Sequence, residues 1–495
     1  MRIFFTSRHL VTSLTVATCL TLSQGCKDPL QEQVYSFIST ENFYRTASDA
    51  DGAVVAAYQP FLTADYFANR WFSLGSLLDD QVTIGRNPVF QAVDNFNITA
   101  DHPFVMNVWQ QMYQGINRAN TGIQRIPGIN MDATRRAALV GECQFIRAYN
   151  YFNLVRLFGG VPLTTAEIET VGQTNTPKAT KEKVYEQIIA DLKEAEKTLP
   201  ATRAGSEVGR VTKGAAQTML AEVYLTMERW QEAADKAQEV IKTGQYRLLD
   251  DFARVFAADN ENNAEIIFSI QFAGPVIGNS MASFAHAFGT DNPNCANGVQ
   301  VWSVDEKSDM WRNWDDKDAR KGVSVYDKIT NKAGRVVSVY TTSRPFPAFG
   351  KYNAPNEISQ DNSPLNPTVY RYSDVLLMYA EAASQAAGSP PAEAYAALNQ
   401  VRRRGYKVPQ TVPAPTVDLS GLSKEAFRQA VIRERSLEFV LEIRRIFDLL
   451  RTSQLVPTLT AIGKTVRPGV TLLPIPLSEL NSNAALSPSD QNPGY

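Results

Sequence analysis

Residues 371–451 constrain the fold more than any other stretch. They read RYSDVLLMYAEAA, then ALNQVRRRG, then VIRERSLEFVLEIRRIFDLLR. Tyr372, Val375, Leu376, Tyr379 and Ala383 recur at helical spacing, which predicts a helix with one apolar, partly small-residue face. Gly388 breaks it, Ser389 can cap a second helix, and Pro391 falls where a first-turn proline is tolerated. Ala394, Leu398 and Val401 give that second helix its own stripe, so the two form a helical hairpin. The third run places Ala430, Leu437 and Leu441 on one side. It also sets Arg435/Glu438 and Glu442/Arg445 three apart, a spacing for ion pairs on a half-exposed helix.

These runs, in this order, resemble the C-terminal signature of the SusD/RagB family of Bacteroidetes outer-membrane nutrient-binding lipoproteins. LLPIPLSEL and the final QNPGY are similar to that family's ending, and ECQFIRAYNYFNLVRLFGGVPL is similar to another of its segments.

With 495 residues and 44% hydrophobic content, the chain can bury a sizeable core. Its formal net charge is -2 with both signs scattered, so nothing in it favours a nucleic acid or another polyanion. Arg2, Arg8 and His9 precede the apolar or small run 10–22, and Gly25 and Cys26 follow; this reads as an export signal, residues 1–25. No later run reaches the roughly 20 apolar residues a membrane span requires. Cys26 after Gly25 resembles a lipoprotein cleavage box with Ser23 as its departure, and ordinary signal cleavage is the alternative. Acyl chains on Cys26 would anchor a water-soluble body without spanning the membrane. Cys143 and Cys295 then remain; Cys143, on an expected helix, reads as a small buried hydrophobe rather than half of a bridge.

Trp109, Met112, Ile116, Ala119 and Ile123 mark one long helix, and Phe145, Ala148, Tyr149, Phe152 and Val155 mark another that stops at Gly159 or Gly160 before Pro162. Against the 34-residue tetratricopeptide pattern, Leu220, Ala221, Tyr224, Ala233, Ala237 and Val240 fall on expected positions, with Gln217 and Gln245 in place of its Trp and Pro. The fold class expected is mainly α: a tetratricopeptide-like superhelix of helical pairs with loop-rich regions and a few short strands. The resemblance implies four pairs, from 105–158, 180–243, 371–404 and 424–451. It also divides the mature chain into an N-terminal region, 26–260, and a C-terminal region, 261–495. EIIFSIQF (265–272) alternates like a strand, and NKAG (331–334) reads as a hairpin turn.

The chain has three histidines and no HExxH, CxxC, Walker or GxSxG motif, so the usual signatures of zinc, phosphoryl-transfer and serine hydrolase chemistry are missing. Asp79/Asp80 and Asp315/Asp316 are adjacent acids of a kind common on surfaces. Asp49, Asp51 and Gly52 resemble the start of a calcium loop that lacks its remaining ligands. No metal or cofactor is expected. Sugar binding needs aromatic faces for C–H surfaces and planar groups for hydroxyls. Trp71, Phe72, Asp79, Asp80, Arg86, Asn87 and Phe90 supply that mixture in the loop-rich 60–100 region, and Asn294, Asn297 and Trp302 could face them from the second such region, 250–370.

The resemblance implies a non-catalytic, lipid-anchored surface receptor. It would capture an oligosaccharide or polysaccharide and pass it to a SusC-like TonB-dependent outer-membrane transporter, with the helical repeats forming part of the protein contact. Peptide or glycoprotein capture by the same architecture, and a repeat scaffold for envelope assembly, are the alternatives.

Overall fold

Side-chain caps set where many of the helices begin. Thr46 and Asp49 form a reciprocal capping box for α1 (Ala47–Tyr58), so Asp49 is occupied by the backbone and not by a cation. Two short helices, α2 (Arg70–Leu77) and α3 (Pro88–Asp94), precede α4 (Pro103–Arg125), which starts on His102 with Pro103 in its first turn. Asp132 caps α5 (Ala133–Phe158), and Gly159, at φ 71°, ends it. Then come α6 (Lys181–Thr198), α7 (Lys213–Thr226), α8 (Trp230–Lys242) and the short α9 (Met281–Ala285). The C-terminal set is α10 (Tyr372–Ala387), α11 (Ala392–Gly405), α12 (Lys424–Glu438) and α13 (Arg445–Arg451). Further helices of one or two turns fill the connections.

This computed structural model describes residues 43–84, 87–273, 277–355, 359, 361–467 and 471–495. The expected export signal and Cys26 lie outside them. Arg45–Tyr495 forms one compact unit.

The long helices stack in series: α4 on α5, α5 on α6, α6 on α7, α7 on α8, α8 on α10, and α10 on both α11 and α12. The mainly α superhelical expectation holds. Close approach explains the small residues: a Cβ at Gly122 of α4 would collide with the Sγ of Cys143 on α5. Cys143 is a buried, unbridged thiol, as is Cys295. Gln217, where the repeat pattern has Trp, donates to Glu196 and Glu239 and ties α7 to both neighbours.

Three local expectations change. Residues 180–243 hold three helices, with α7 and α8 forming the repeat pair and α6 packing between α5 and α7. Ser389 does not cap α11, whose N-cap is Pro391. The last expected pair is interrupted because Leu441 and Ile443 take φ values of 58° and 55° and turn the chain between α12 and α13.

The strands are short and form four two-stranded antiparallel ladders. β1 (Val82–Thr83) pairs with β3 (Ser303–Val304), and β2 (Ile266–Ser269) pairs with β8 (Thr368–Arg371). β4 (Val325–Tyr326) pairs with β7 (Ala348–Phe349), and the expected hairpin is β5 (Lys328–Thr330) with β6 (Val336–Ser338), turning through Gly334 at φ 74°.

The expected pairs Arg435/Glu438 and Glu442/Arg445 do not form along a helix. Their charges converge in the core. Glu438 accepts from Arg371 at 2.5 Å and from Arg320 at 2.9 Å, and also pairs with Arg404. Glu442 takes Arg371 at 2.8 Å and Lys351 at 2.5 Å, while Arg435 bridges Asp374 and Asp448. Arg445 reaches back to Asp80 at 2.7 Å. Burial opposes ionisation of Glu438, but the guanidiniums of Arg404, Arg371 and Arg320 hold its carboxyl well below the usual range.

Removing one member of such a set strands the others uncompensated. Glu438→Gln is expected to lower unfolding free energy by about 3–5 kcal/mol, whereas Lys183→Ala, in an exposed pair with Glu186, should change it by roughly 0.5 kcal/mol or less. Urea titrations of both variants check this; equal effects would mean that the buried charges do not organise the core.

Candidate functional site

The β1·β3 ladder joins the two loop-rich regions, setting Val82 opposite Val304 and Thr83 opposite Ser303. Asp305 N donates to Gln81 O at 2.9 Å and extends the seam. The two regions therefore face each other, and both expected and unexpected side chains line the cavities there. A cavity of about 640 Å³ opens beside the ladder, walled by Asn87, Phe90, Phe284, Gln300, Arg344 and Phe346, with Asp361 at its edge. A second cavity, of about 570 Å³, adjoins it and is lined by Phe288, Asp291, Asn292, Asn297 and Lys332. Val299 borders both.

Gln300 ties these walls together. It is 3% exposed and sits at φ 46°, a left-handed backbone state that costs a non-glycine residue on the order of 1 kcal/mol or more. Its Oε1 accepts from Phe288 N at 3.3 Å, its Nε2 donates to Phe346 O at 2.7 Å, and its carbonyl accepts from Arg344 Nη1 at 2.8 Å. The Arg344 guanidinium lies 5.2 Å from the centroid of the Phe288 ring, which remains 42% exposed.

Asn292, in the lining of the second cavity, belongs to a buried polar cluster. His286 Nε2 faces the Tyr352 carbonyl at 2.9 Å, and a carbonyl only accepts, so Nε2 carries the proton and Nδ1 accepts from Asn292 Nδ2 at 3.1 Å. Burial brings the His286 pKa down to about 4, which keeps the ring neutral near pH 7. Tyr326 Oη accepts from Ala287 N and Asn292 Nδ2, both at 2.9 Å, and fixes the loop to β4.

The expected site residues divide. Asn87 is exposed at the first cavity, where it also caps α3 at φ 80°, and Phe90 lies in its wall against Phe104. Asn294 is half-buried beside the second cavity, its N–H donating to Asn292 Oδ1. Arg86 lies outside the described residues. Trp71 and Trp302 are corrected: each is a core residue. Trp71 is 2% exposed among Tyr66, Phe67 and Phe447, because α2 is wrapped on all sides, and Trp302 is fully buried against Phe72 and Phe284. Asp79 and Asp80 are buried too, Asp79 accepting from Gln81 N at 2.8 Å and Asp80 held by Arg445. Asp315 and Asp316 are occupied by Tyr406 and Lys321.

Sequence reasoning passed over Phe284, Phe288, Gln300, Arg344 and Phe346. Two signals mark all but Gln300: SFAHAFGTDNPN (283–294) and SRPFPAF (343–349) set phenylalanines among Gly, Pro and Asn where no period assigns them to a core.

A third cavity, of about 660 Å³, lies between α5, α6 and α13. Its walls mix aliphatic side chains, including Val155, Leu450, Leu455 and Leu472, with Tyr185, Phe447 and charged groups, and its arginines already face Glu222 and Glu381. Among the described residues no Asn or Gln lines it. Among the described residues no cluster of three or more His, Cys, Asp or Glu could hold a metal ion, and no helix is long and apolar enough to cross a membrane.

A stack of paired helices that carries, on its loops, adjoining cavities of aromatic and planar polar groups defines a helical-repeat binding protein. Two family profiles match the chain, one described as "Starch-binding associating with outer membrane" over residues 51–225 and one as "SusD family" over residues 282–495. A SusD-like protein of Formosa agariphila, P2, is 31% identical over 97% of this chain and 99% of its own length, and one of Bacteroides ovatus is 26% identical over 92% and 84%. The chain belongs to the SusD/RagB family. A SusD homologue from Bacteroides thetaiotaomicron superposes with a TM-score of 0.81 at 24% identity, over 93% of this chain and all of that one. A laminarin-binding SusD-like protein gives 0.76 at 28% identity, over 91% of this chain and all of its own.

Asp79 offers a check on the buried seam. Burial, and then the neighbouring Asp80, raise its pKa to about 8. The folded chain therefore holds this proton more tightly than the unfolded chain does. Stability falls as pH rises from about 4 to about 8, by up to about 1.4 kcal/mol per unit. Asp79→Asn keeps an oxygen acceptor for Gln81 N and should flatten that slope, with its largest gain over the parent at pH 8. Urea midpoints at pH 5, 6.5 and 8 measure this; parallel curves for the two proteins would contradict it.

Proposed function

We propose that this protein is a non-catalytic glycan receptor of the outer membrane. It binds an oligosaccharide or polysaccharide in the two adjoining loop cavities and delivers it unchanged to a SusC-like TonB-dependent transporter. The observation that carries the reading is the site's composition: the half-exposed ring of Phe288 stands beside Arg344, Asn87, Asn297 and Gln300 on loops braced by a rigid helical stack. Sugars need this combination, an apolar face for C–H surfaces and fixed planar groups for hydroxyls. Membership of a family whose profile is described as starch-binding and outer-membrane-associating, and the 28% identical laminarin-binding relative, support it. Acylation at Cys26 would hold the body at the membrane, and the stacked helices would meet the transporter. Delivery needs no bond cleavage, so no catalytic acid or base is assigned.

Calorimetric titration of the full chain in detergent against laminarin, starch and a peptide panel tests the proposal. Laminarin or starch is expected to bind, and Phe288→Ala and Arg344→Ala each to weaken binding by about ten-fold, the loss of one stacking partner. Trp71→Ala should instead lower stability, by about 3–5 kcal/mol, without selectively weakening the ligand. Binding of peptides alone would transfer the site to the peptide-receptor reading. Co-purification with a TonB-dependent transporter from an outer-membrane extract checks the delivery partner.

A further inference from the structure

The two cavities differ in lining but not in charge balance. The first holds Arg344 and Asp361, and the second holds Lys332 and Asp291, whose charged atoms lie 3.9 Å apart. Among the described residues each therefore contains one cation and one anion. Asp361 accepts from Ser280 Oγ at 2.7 Å, so its carboxylate is already engaged. A site for uronic acids or sulfated sugars would carry an excess of cations, because a desolvated anion needs one. Among the described residues neither cavity does.

Phe288 lines only the second cavity and Arg344 only the first, and the two side chains stack on each other. Val299 lines both cavities. The stack therefore stands as a ridge between two adjoining cavities. Buried Gln300 holds both sides of that ridge, through Phe288 N and through Arg344 Nη1.

Resting on the glycan-receptor reading above, we infer that the ligand is an uncharged glycan chain long enough to cross the Phe288–Arg344 ridge, with sugar units seated in both cavities at once. Gln300 is the positioning residue that keeps the ridge upright. A ligand confined to one cavity gains only that cavity's contacts. One that crosses gains the ridge and the second cavity without a second loss of overall freedom.

The test uses the full chain in detergent and a length series of laminari-oligosaccharides, from the disaccharide upward, with alginate oligomers of matched length as the acidic control. Affinity should rise by about ten-fold or more at the length that first spans the ridge, the equivalent of one further stacked and hydrogen-bonded unit. Phe288→Ala should abolish that step, weakening the long oligomers by more than the short ones. Gln300→Leu should also flatten it, and Gln300→Glu, which keeps one acceptor for Phe288 N but loses the donor to Phe346 O, should restore part of it. A purely structural role for Gln300 would lower thermal stability and scale all lengths together. Laminari-oligomers that bind with no step in length would overturn the crossing alone and leave the receptor reading intact. Alginate that binds more tightly than laminari-oligomers, with affinity falling as salt rises, would overturn the uncharged class. No binding by any length of either series, or by starch, would overturn this inference together with the receptor reading.

Discussion

Everything in this fold hangs on carboxylates buried among arginines. Glu438 alone faces Arg320, Arg371 and Arg404, which come from three separated parts of the chain, and Glu442 adds Lys351 to the same set. A second centre forms where Glu222 of α7 meets Arg156 of α5 and Arg444; burial opposes its ionisation, but the two guanidiniums bring its pKa down to about 2. Arg444 also reaches Asp374, and Arg435 joins Asp374 to Asp448, so the second centre extends through α10 to α13. Ionised groups without partners are costly in a core. One arrangement of helices satisfies all of these charges together, and a slipped helix would break several pairs at once. Hydrophobic faces drive the helices together, and the charges fix how they sit.

That rigidity leaves the recognition surface free to be irregular. The loops around Phe288, Gln300 and Arg344 contain short ladders, positive-φ residues and side-chain-to-backbone bonds, a combination unlikely to hold its shape alone. They are braced from beneath by His286, Tyr326 and Asn292 and from the side by β1·β3. Binding chemistry on loops over a fixed scaffold allows the surface to vary while the core stays constant.

The helical part of the fold was legible because helix burial writes a local period: Val375 and Leu376, or Met112 and Ile116, lie on buried faces as their spacing requires. The hairpin at Gly334 was legible for the same local reason. The charged run was misread as surface pairs because Arg320, Arg371 and Arg404, the partners of Glu438, lie 118, 67 and 34 residues away and no local window contains them. The turn at Leu441 and Ile443 carries no glycine to announce it. In the site, Asn87 and Phe90 were reached from composition. Trp71 and Trp302 were drawn in by the same reasoning, although large aromatics serve cores at least as often as ligands. Phe288 and Arg344 meet in a contact across 56 residues that spacing does not encode.

The long reach of the central charges also bears on how such a core is completed. Glu265, Arg320, Arg371 and Arg404 are all synthesised before Glu438 and Glu442, the carboxylates that complete their set. A partly made polypeptide would have to enclose guanidiniums with too few counter-charges, so closing the core early is unfavourable. The central charge set is therefore complete only when the C-terminal helices are in place, which makes the last part of the chain to be synthesised a structural requirement of the core.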